Sequence, residues 1–243
     1  MKKLIVANWK MYLTLSQSVT LTKRISKSQI TNHKLRVVLC PSFVALEEVG
    51  KIVHGTRVKL GAQDVEPEKR GAFTGEVGLD DLASLQVEYV LVGHSERRRI
   101  FHETDALVNE KLRAVIKAGM RPILCVGEPH GVRTQGMAKV RRYVGTQVKT
   151  GLRGVAKKDL RRTVIAYEPI WAIGSGKSDM PEDAVQMHAW IRKVVGIKSV
   201  RILYGGSVSA KNARAFLRAP GIDGLLIGKA SVNLGQWRAI THL

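Results

Sequence analysis

A (β/α)8 barrel, eight parallel strands each leading into a helix, is the fold class that this 243-residue sequence predicts. Three observations predict it. Short apolar and β-branched runs occur eight times, at residues 4–7, 36–40, 58–62, 89–92, 122–126, 163–167, 200–204 and 224–227. Successive runs start 22 to 41 residues apart, which leaves room for a loop and a helix between each pair. Most intervening segments repeat their apolar residues at a spacing near 3.6, and no Pro-, Gly- or Ser-rich linker divides the chain, so one domain is expected over residues 1–243. A doubly wound sheet is the alternative, because periodicity alone does not close a sheet.

Taken in order, the elements repeat one pattern. The first run, Leu4-Ile5-Val6-Ala7, is apolar throughout, as a strand covered on both faces requires, and Asn8 and Lys10 follow it. The second ends in Cys40 and the fifth contains Cys125; two cysteines at this separation match no disulfide or zinc framework and read as buried thiols of a reducing compartment. Gln63 and Asp64 follow the third run, His94 and Glu96 the fourth, and Glu168 the sixth. The helix after the sixth run is entered through Pro181 and carries Ala184, Met187, His188, Ile191, Val194 and Val195 on one stripe, which makes His188 a partly buried structural histidine. Ser207 follows the seventh run and Gly228-Lys229 the eighth. Polar residues thus gather where strands end, the face on which such barrels carry their sites.

Composition narrows the function. With 44% apolar and 25% charged residues the chain is an ordinary globular one, and a core of this size needs neither disulfide nor metal. The longest apolar runs fall far short of the ~18–20 residues that cross a membrane. Met1-Lys2-Lys3 is followed by only four apolar residues, too few for a signal peptide, so a cytoplasmic protein is expected. Lys plus Arg is 40 against 20 for Asp plus Glu, a net charge of +20 that attracts anions. The basic residues are scattered and aromatics are 5%, so nucleic acid is expected to bind only non-specifically, through net charge.

Two motif matches fail. Gly176-Lys177-Ser178 ends like a phosphate-binding P-loop, but the glycine that loop needs at position 171 is Trp171. Gly93-His94-Ser95-Glu96-Arg97 and Gly205-Gly206-Ser207-Val208-Ser209 both lack the last glycine of a nucleophile elbow. What survives is a set of segments in fixed order: Ala7-Asn8-Trp9-Lys10-Met11, Gly71-Ala72-Phe73-Thr74-Gly75-Glu76, Val92-Gly93-His94-Ser95-Glu96-Arg97, Tyr167-Glu168-Pro169-Ile170-Trp171-Ala172-Ile173-Gly174-Ser175-Gly176-Lys177 and Tyr204-Gly205-Gly206-Ser207-Val208. This set closely resembles the triosephosphate isomerase family, from Asn8 to Ser231, and the resemblance implies a single-domain (β/α)8 TIM barrel.

The resemblance implies an isomerase that interconverts dihydroxyacetone phosphate and D-glyceraldehyde 3-phosphate through an enediolate, in glycolysis and gluconeogenesis, with no cofactor and no metal. Glu168 looks like the base and His94 like the neutral electrophile, the pairing that serves as a standard example of tuned acid–base groups. Lys10 would face developing negative charge, Asn8 would orient that corner, and Glu96 would be a buried carboxylate beside the lysine, serving as proton shuttle or ion-pair partner. Backbone N–H groups of Gly174, Ser207, Gly228 and Lys229 would hold the phosphate of the triose. The third loop, about 64–78, would reach a neighbouring subunit through Thr74, which implies a homodimer, and residues 169–177 would form a lid. Lys229 stands where the family commonly has a second glycine, and Ser178-Asp179-Met180-Pro181 departs from the usual Thr-Ala-Thr-Pro, removing a helix cap at 180. Another phosphate-binding barrel enzyme, or a basic nucleic-acid-binding protein, is the competing reading.

Overall fold

The computed structural model describes residues 2–27, 33–68, 70–173 and 180–243. Its strands are β1 (Lys3–Asn8), β2 (Leu35–Cys40), β3 (Val58–Ala62), β4 (Tyr89–Val92), β5 (Arg121–Val126), β6 (Val164–Tyr167), β7 (Arg201–Tyr204) and β8 (Gly224–Ile227), each within one residue of its expected bounds. All pair in parallel and in sequence order, and β8 returns to β1 through Leu4 opposite Gly224 and Ala7 opposite Ile227. The sheet is therefore closed, which the periodicity alone did not decide.

Side-chain alternation divides the core in two. Leu4, Val6, Val38, Cys40, Leu91, Ile123, Cys125 and Leu203 fill the barrel interior, while their neighbours Ile5, Ala7, Val37, Leu39 and Leu124 pack outward against the helices. Both cysteines are free and buried. Gly61 faces the interior where no side chain fits: a Cβ there would lie 2.5 Å from the Cys40 sulfur and 2.8 Å from Val38 Cγ1. The interior is a packed core, so it offers substrate no passage, and chemistry is left to the strand ends.

The helices follow their own local signals. Asp105–Lys117 is capped by the Thr104 hydroxyl, which accepts the Leu107 N–H at 3.2 Å, and buries Val108, Leu112 and Val115 along one stripe. Pro181–Val195 begins with Pro181 in its first turn, places Glu182 and Asp183 at the positive end of its dipole, and stops at Gly196 in the left-handed conformation, φ 74°. Met180 occupies the cap position with no side-chain capping bond, the consequence expected of the missing threonine. His188 is more deeply buried than its stripe suggested, with 0% exposure. Among the described residues no helix is long and apolar enough to cross a membrane.

Candidate active site

A cleft of about 570 Å³ opens at the carboxyl ends of the strands, lined by Asn8, Lys10, His94, Glu168, Ser207, Gly228 and Lys229 among others. The barrel brings these residues together from β1, β4, β6, β7 and β8, up to 221 positions apart (229 − 8). Gly174 lies outside the described residues, as do positions 174–177 of the expected lid.

Each side chain has a local reason for its position. Lys10 takes a left-handed backbone, φ 49°, which costs a non-glycine residue free energy and needs outside support. Asn8 Oδ1 accepts the Lys10 N–H at 3.1 Å, and Gln63 Nε2 donates to the Lys10 carbonyl at 2.9 Å and to the Cys40 carbonyl at 3.0 Å. The bent chain turns the Lys10 ammonium toward Glu96, 2.7 Å away. Glu96 was expected to be buried, but its side chain is 39% exposed in this chain. Burial pushes its carboxyl up; the Lys10 hydrogen bond and the charges of His94, Lys10 and Arg99 together outweigh that and hold it below the usual carboxylate range.

His94 caps the helix Ser95–Ile100, its Nδ1 accepting the Glu96 N–H at 3.2 Å. That bond assigns the ring proton to Nε2, the nitrogen facing the cleft. Gly93, at φ 69°, makes the turn that lifts the histidine off β4. Glu168 lies across from it, almost wholly buried. Its Oε2 accepts the Ser95 N–H at 3.0 Å. Its Oε1 is 3.1 Å from His94 Nε2 but off the line of a hydrogen bond, and it has no hydrogen-bond partner among the described residues. Two glycines make room for this residue, Gly127 for its backbone and Gly205 for its side chain. A Cβ on Gly127 would lie 1.7 Å from the Glu168 carbonyl oxygen, and one on Gly205 would lie 3.0 Å from Glu168 Cγ.

The sequence of this cleft and barrel matches the family model described as triosephosphate isomerase over residues 3–243. A curated triosephosphate isomerase from Aquifex aeolicus is 44% identical, covering 100% of this chain and 99% of its own length. Those of Chloroflexus aurantiacus and Clostridium tetani are 42% and 40% identical, with at least 96% of either chain covered in each pairing. The chain belongs to the triosephosphate isomerase family.

Set against the family resemblance, Asn8, Lys10, His94, Glu168, Ser207, Gly228 and Lys229 do share one cleft, and Glu96 joins it through Lys10. Lys229 is exposed at the rim and opens a short 3-10 turn, Lys229–Val232. Thr74 stands apart, on an exposed loop tip. Three features of this triosephosphate isomerase family member escaped sequence reasoning. Glu128, fully buried, accepts hydrogen bonds from the Tyr167 hydroxyl at 3.1 Å and from Trp171 Nε1 at 2.8 Å, tying the start of residues 169–177 to β5. Burial raises its carboxyl, against the Trp171 and Tyr167 bonds. Lys111 joins Asp64 at 2.8 Å, and both Lys111 and Arg97 join Glu103, in a buried ion-pair quartet behind the third and fourth loops. Gln63, noted only as polar, braces the strained lysine. The one available signal was position: Gln63, Asp64 and Glu128 all stand within two residues of a strand end.

Proposed function

We propose that Glu168 and His94 carry the proton transfers by which this chain interconverts dihydroxyacetone phosphate and D-glyceraldehyde 3-phosphate, a step of glycolysis and gluconeogenesis. The observation that carries the reading is the single cleft in which a buried carboxylate with one oxygen unbonded among the described residues, an imidazole N–H and an ammonium converge. Moving hydrogen between adjacent carbons needs one base able to reach both, and groups that polarise each oxygen. Glu168 takes the proton from C1 of the ketose, the electron pair goes to the C2 oxygen, and an enediolate forms. His94 Nε2–H and the Lys10 ammonium face the two oxygens and stabilise that charge; a proton passes between the oxygens by way of His94, and Glu168 returns its proton to C2. The reaction balances without cofactor or metal.

The phosphate is assigned to the N–H groups of Ser207, Gly228 and Lys229, with Gly174 from the lid. Lys229 adds an ammonium at the rim, a charge a glycine would not supply. Closing of residues 169–177 brings Ile173, already a wall of the cleft, against Glu168 and excludes water. The test is a coupled assay of glyceraldehyde 3-phosphate turnover by the protein and by Glu168→Gln. Fast turnover that falls about 10³-fold in the variant supports the reading; a folded parent without turnover overturns it.

The chain is further proposed to act as a homodimer in the cytoplasm. The third loop is closed at its base by Glu66 N–H to the Val77 carbonyl, 2.9 Å, and its tip, including Phe73 and Thr74, is exposed. Met11 and Val44, 92% and 79% exposed, and Phe101 add apolar surface of the kind a partner covers. Sedimentation should give a mass of twice the chain; Thr74→Arg should shift it toward the monomer.

A further inference from the structure

A second cavity, about 540 Å³, lies on the flank of the barrel between the helices Asp105–Lys117 and Met137–Gly151. It nearly matches the active-site cleft in volume, so a molecule of triose-phosphate size fits. Its outer wall is one helical face: Lys139, Arg142, Tyr143 and Thr146 stand at relative positions 0, 3, 4 and 7, all exposed. Neither Lys139 nor Arg142 has an ion-pair partner among the described residues. The two acids in the wall are already committed, Asp105 to Arg98 and Glu103 to Lys111 and Arg97. The cavity therefore carries two uncompensated cations and a phenol hydroxyl, which suit a phosphate group.

The back of this cavity leads to the active site by two short routes. Arg98 donates from Nε to the Gly93 carbonyl at 2.7 Å, the residue before His94, and from Nη2 to the Cys125 carbonyl at 3.4 Å. Gln147, buried, accepts the Gly127 N–H at 2.8 Å, and Gly127 is the residue whose Cα packs on the Glu168 carbonyl. Groups that touch the flank cavity thus hold the backbone directly behind both reacting side chains.

We propose that the flank cavity is a second binding site for a small phosphate-bearing metabolite, held by Lys139 and Arg142 and read out through Arg98 and Gln147 at His94 and Glu168. A bound phosphate draws the Arg98 guanidinium outward and loosens its bond to Gly93, so occupancy lowers turnover without competing with substrate. The binding claim stands on the cavity alone; the effect on turnover rests on the roles assigned to His94 and Glu168.

The test is a calorimetric titration with inorganic phosphate at constant ionic strength. The parent should bind at two sites, Lys139→Ala/Arg142→Ala at one, Ser207→Asp at one, and the triple variant at none, each lost site weakened at least tenfold. A Lys139→Ala/Arg142→Ala titration identical to the parent's overturns the site. If Ser207→Asp instead keeps both sites, the assigned phosphate seat of the active site fails, and the flank site is still judged by the other arm. In Ser207→Asp, phosphate should move the backbone amide resonances of Gly93 and Gly127; resonances that stay fixed while the site fills overturn the link to catalysis.

Discussion

Two carboxylates lie fully buried at the ends of neighbouring strands, Glu128 two residues past β5 and Glu168 one residue past β6, and the protein treats them in opposite ways. Glu128 is saturated: Tyr167 and Trp171 donate to it, and Arg133 Nη1 stands 3.9 Å away. Glu168 has one oxygen on the Ser95 N–H and one with no hydrogen-bond partner among the described residues, and Gly205 leaves room beside its side chain. Burial is common to both, so burial does not set the proposed base apart. An unsatisfied buried acceptor costs about 1–3 kcal/mol, and the fold tolerates that where substrate is to be the missing partner.

Making one chemical change at both positions sharpens the contrast. Glu168→Gln should lower kcat about 10³-fold, near 4 kcal/mol of barrier, with the fold intact. Glu128→Gln keeps an acceptor for Trp171 and removes a carboxyl whose charged form burial disfavours, so kcat should stay within tenfold of the parent and stability within about 1 kcal/mol. Equal losses of activity at the two sites would break the distinction. His94→Gln comes next, with a kcat loss of about 10²–10³-fold as one preorganised donor to the enediolate is removed.

Glu128→Ala tests the anchoring role itself. It removes the acceptor of the Trp171 N–H and one partner of the Tyr167 hydroxyl, and should cost about 2 kcal/mol of stability. Trp171 fluorescence should shift with it, because the indole then loses its carboxylate partner. A variant as stable as the parent, with unchanged emission, would show that the hydrogen bonds to Glu128 count for little.

The contrast also explains what could be read from residues alone. The eight strands were legible because parallel strands covered on both faces are mostly apolar, and eight such runs recur at a spacing that leaves a loop and a helix between each pair. The positions of His94 and Glu168 were legible because a packed barrel interior confines polar residues to strand ends, while the roles proposed for them came from the family resemblance. Glu128 was missed because an acid followed by Pro129 reads locally as a solvated turn, and only its long-range partners bury it. The quartet of Asp64, Arg97, Glu103 and Lys111 was missed for a related reason. Lys111 stands on a helix beside buried Leu112, and its partner Asp64 is 47 positions away, so no local pattern announces the pair. Closure of the sheet was equally invisible, since it depends on β8 meeting β1 across the whole chain.

A third buried titratable group, His188, extends the comparison to a residue with no part in the cleft. Its Nδ1 is 3.3 Å from the Gly221 carbonyl, its Nε2 has no hydrogen-bond partner among the described residues, and its ring meets Tyr167 edge-on at 6.1 Å between centroids. Burial pushes it down from the ordinary 6.5 to about 3, so the folded protein holds it neutral where the unfolded chain would protonate it. The sign follows from that: the stability tied to the neutral ring is fully present above pH 6.5 and is lost as the pH falls from there toward 3. The slope is at most about 1.4 kcal/mol per pH unit for one proton. Urea unfolding of the parent between pH 7 and pH 4 should show that decline, and His188→Gln, which cannot take up the proton, should flatten it while leaving kcat near the parental value. An unchanged slope in the variant would mean that acid sensitivity resides elsewhere, with the carboxylates Glu96 and Glu103, whose ion pairs hold them below the usual range, as the next groups to remove.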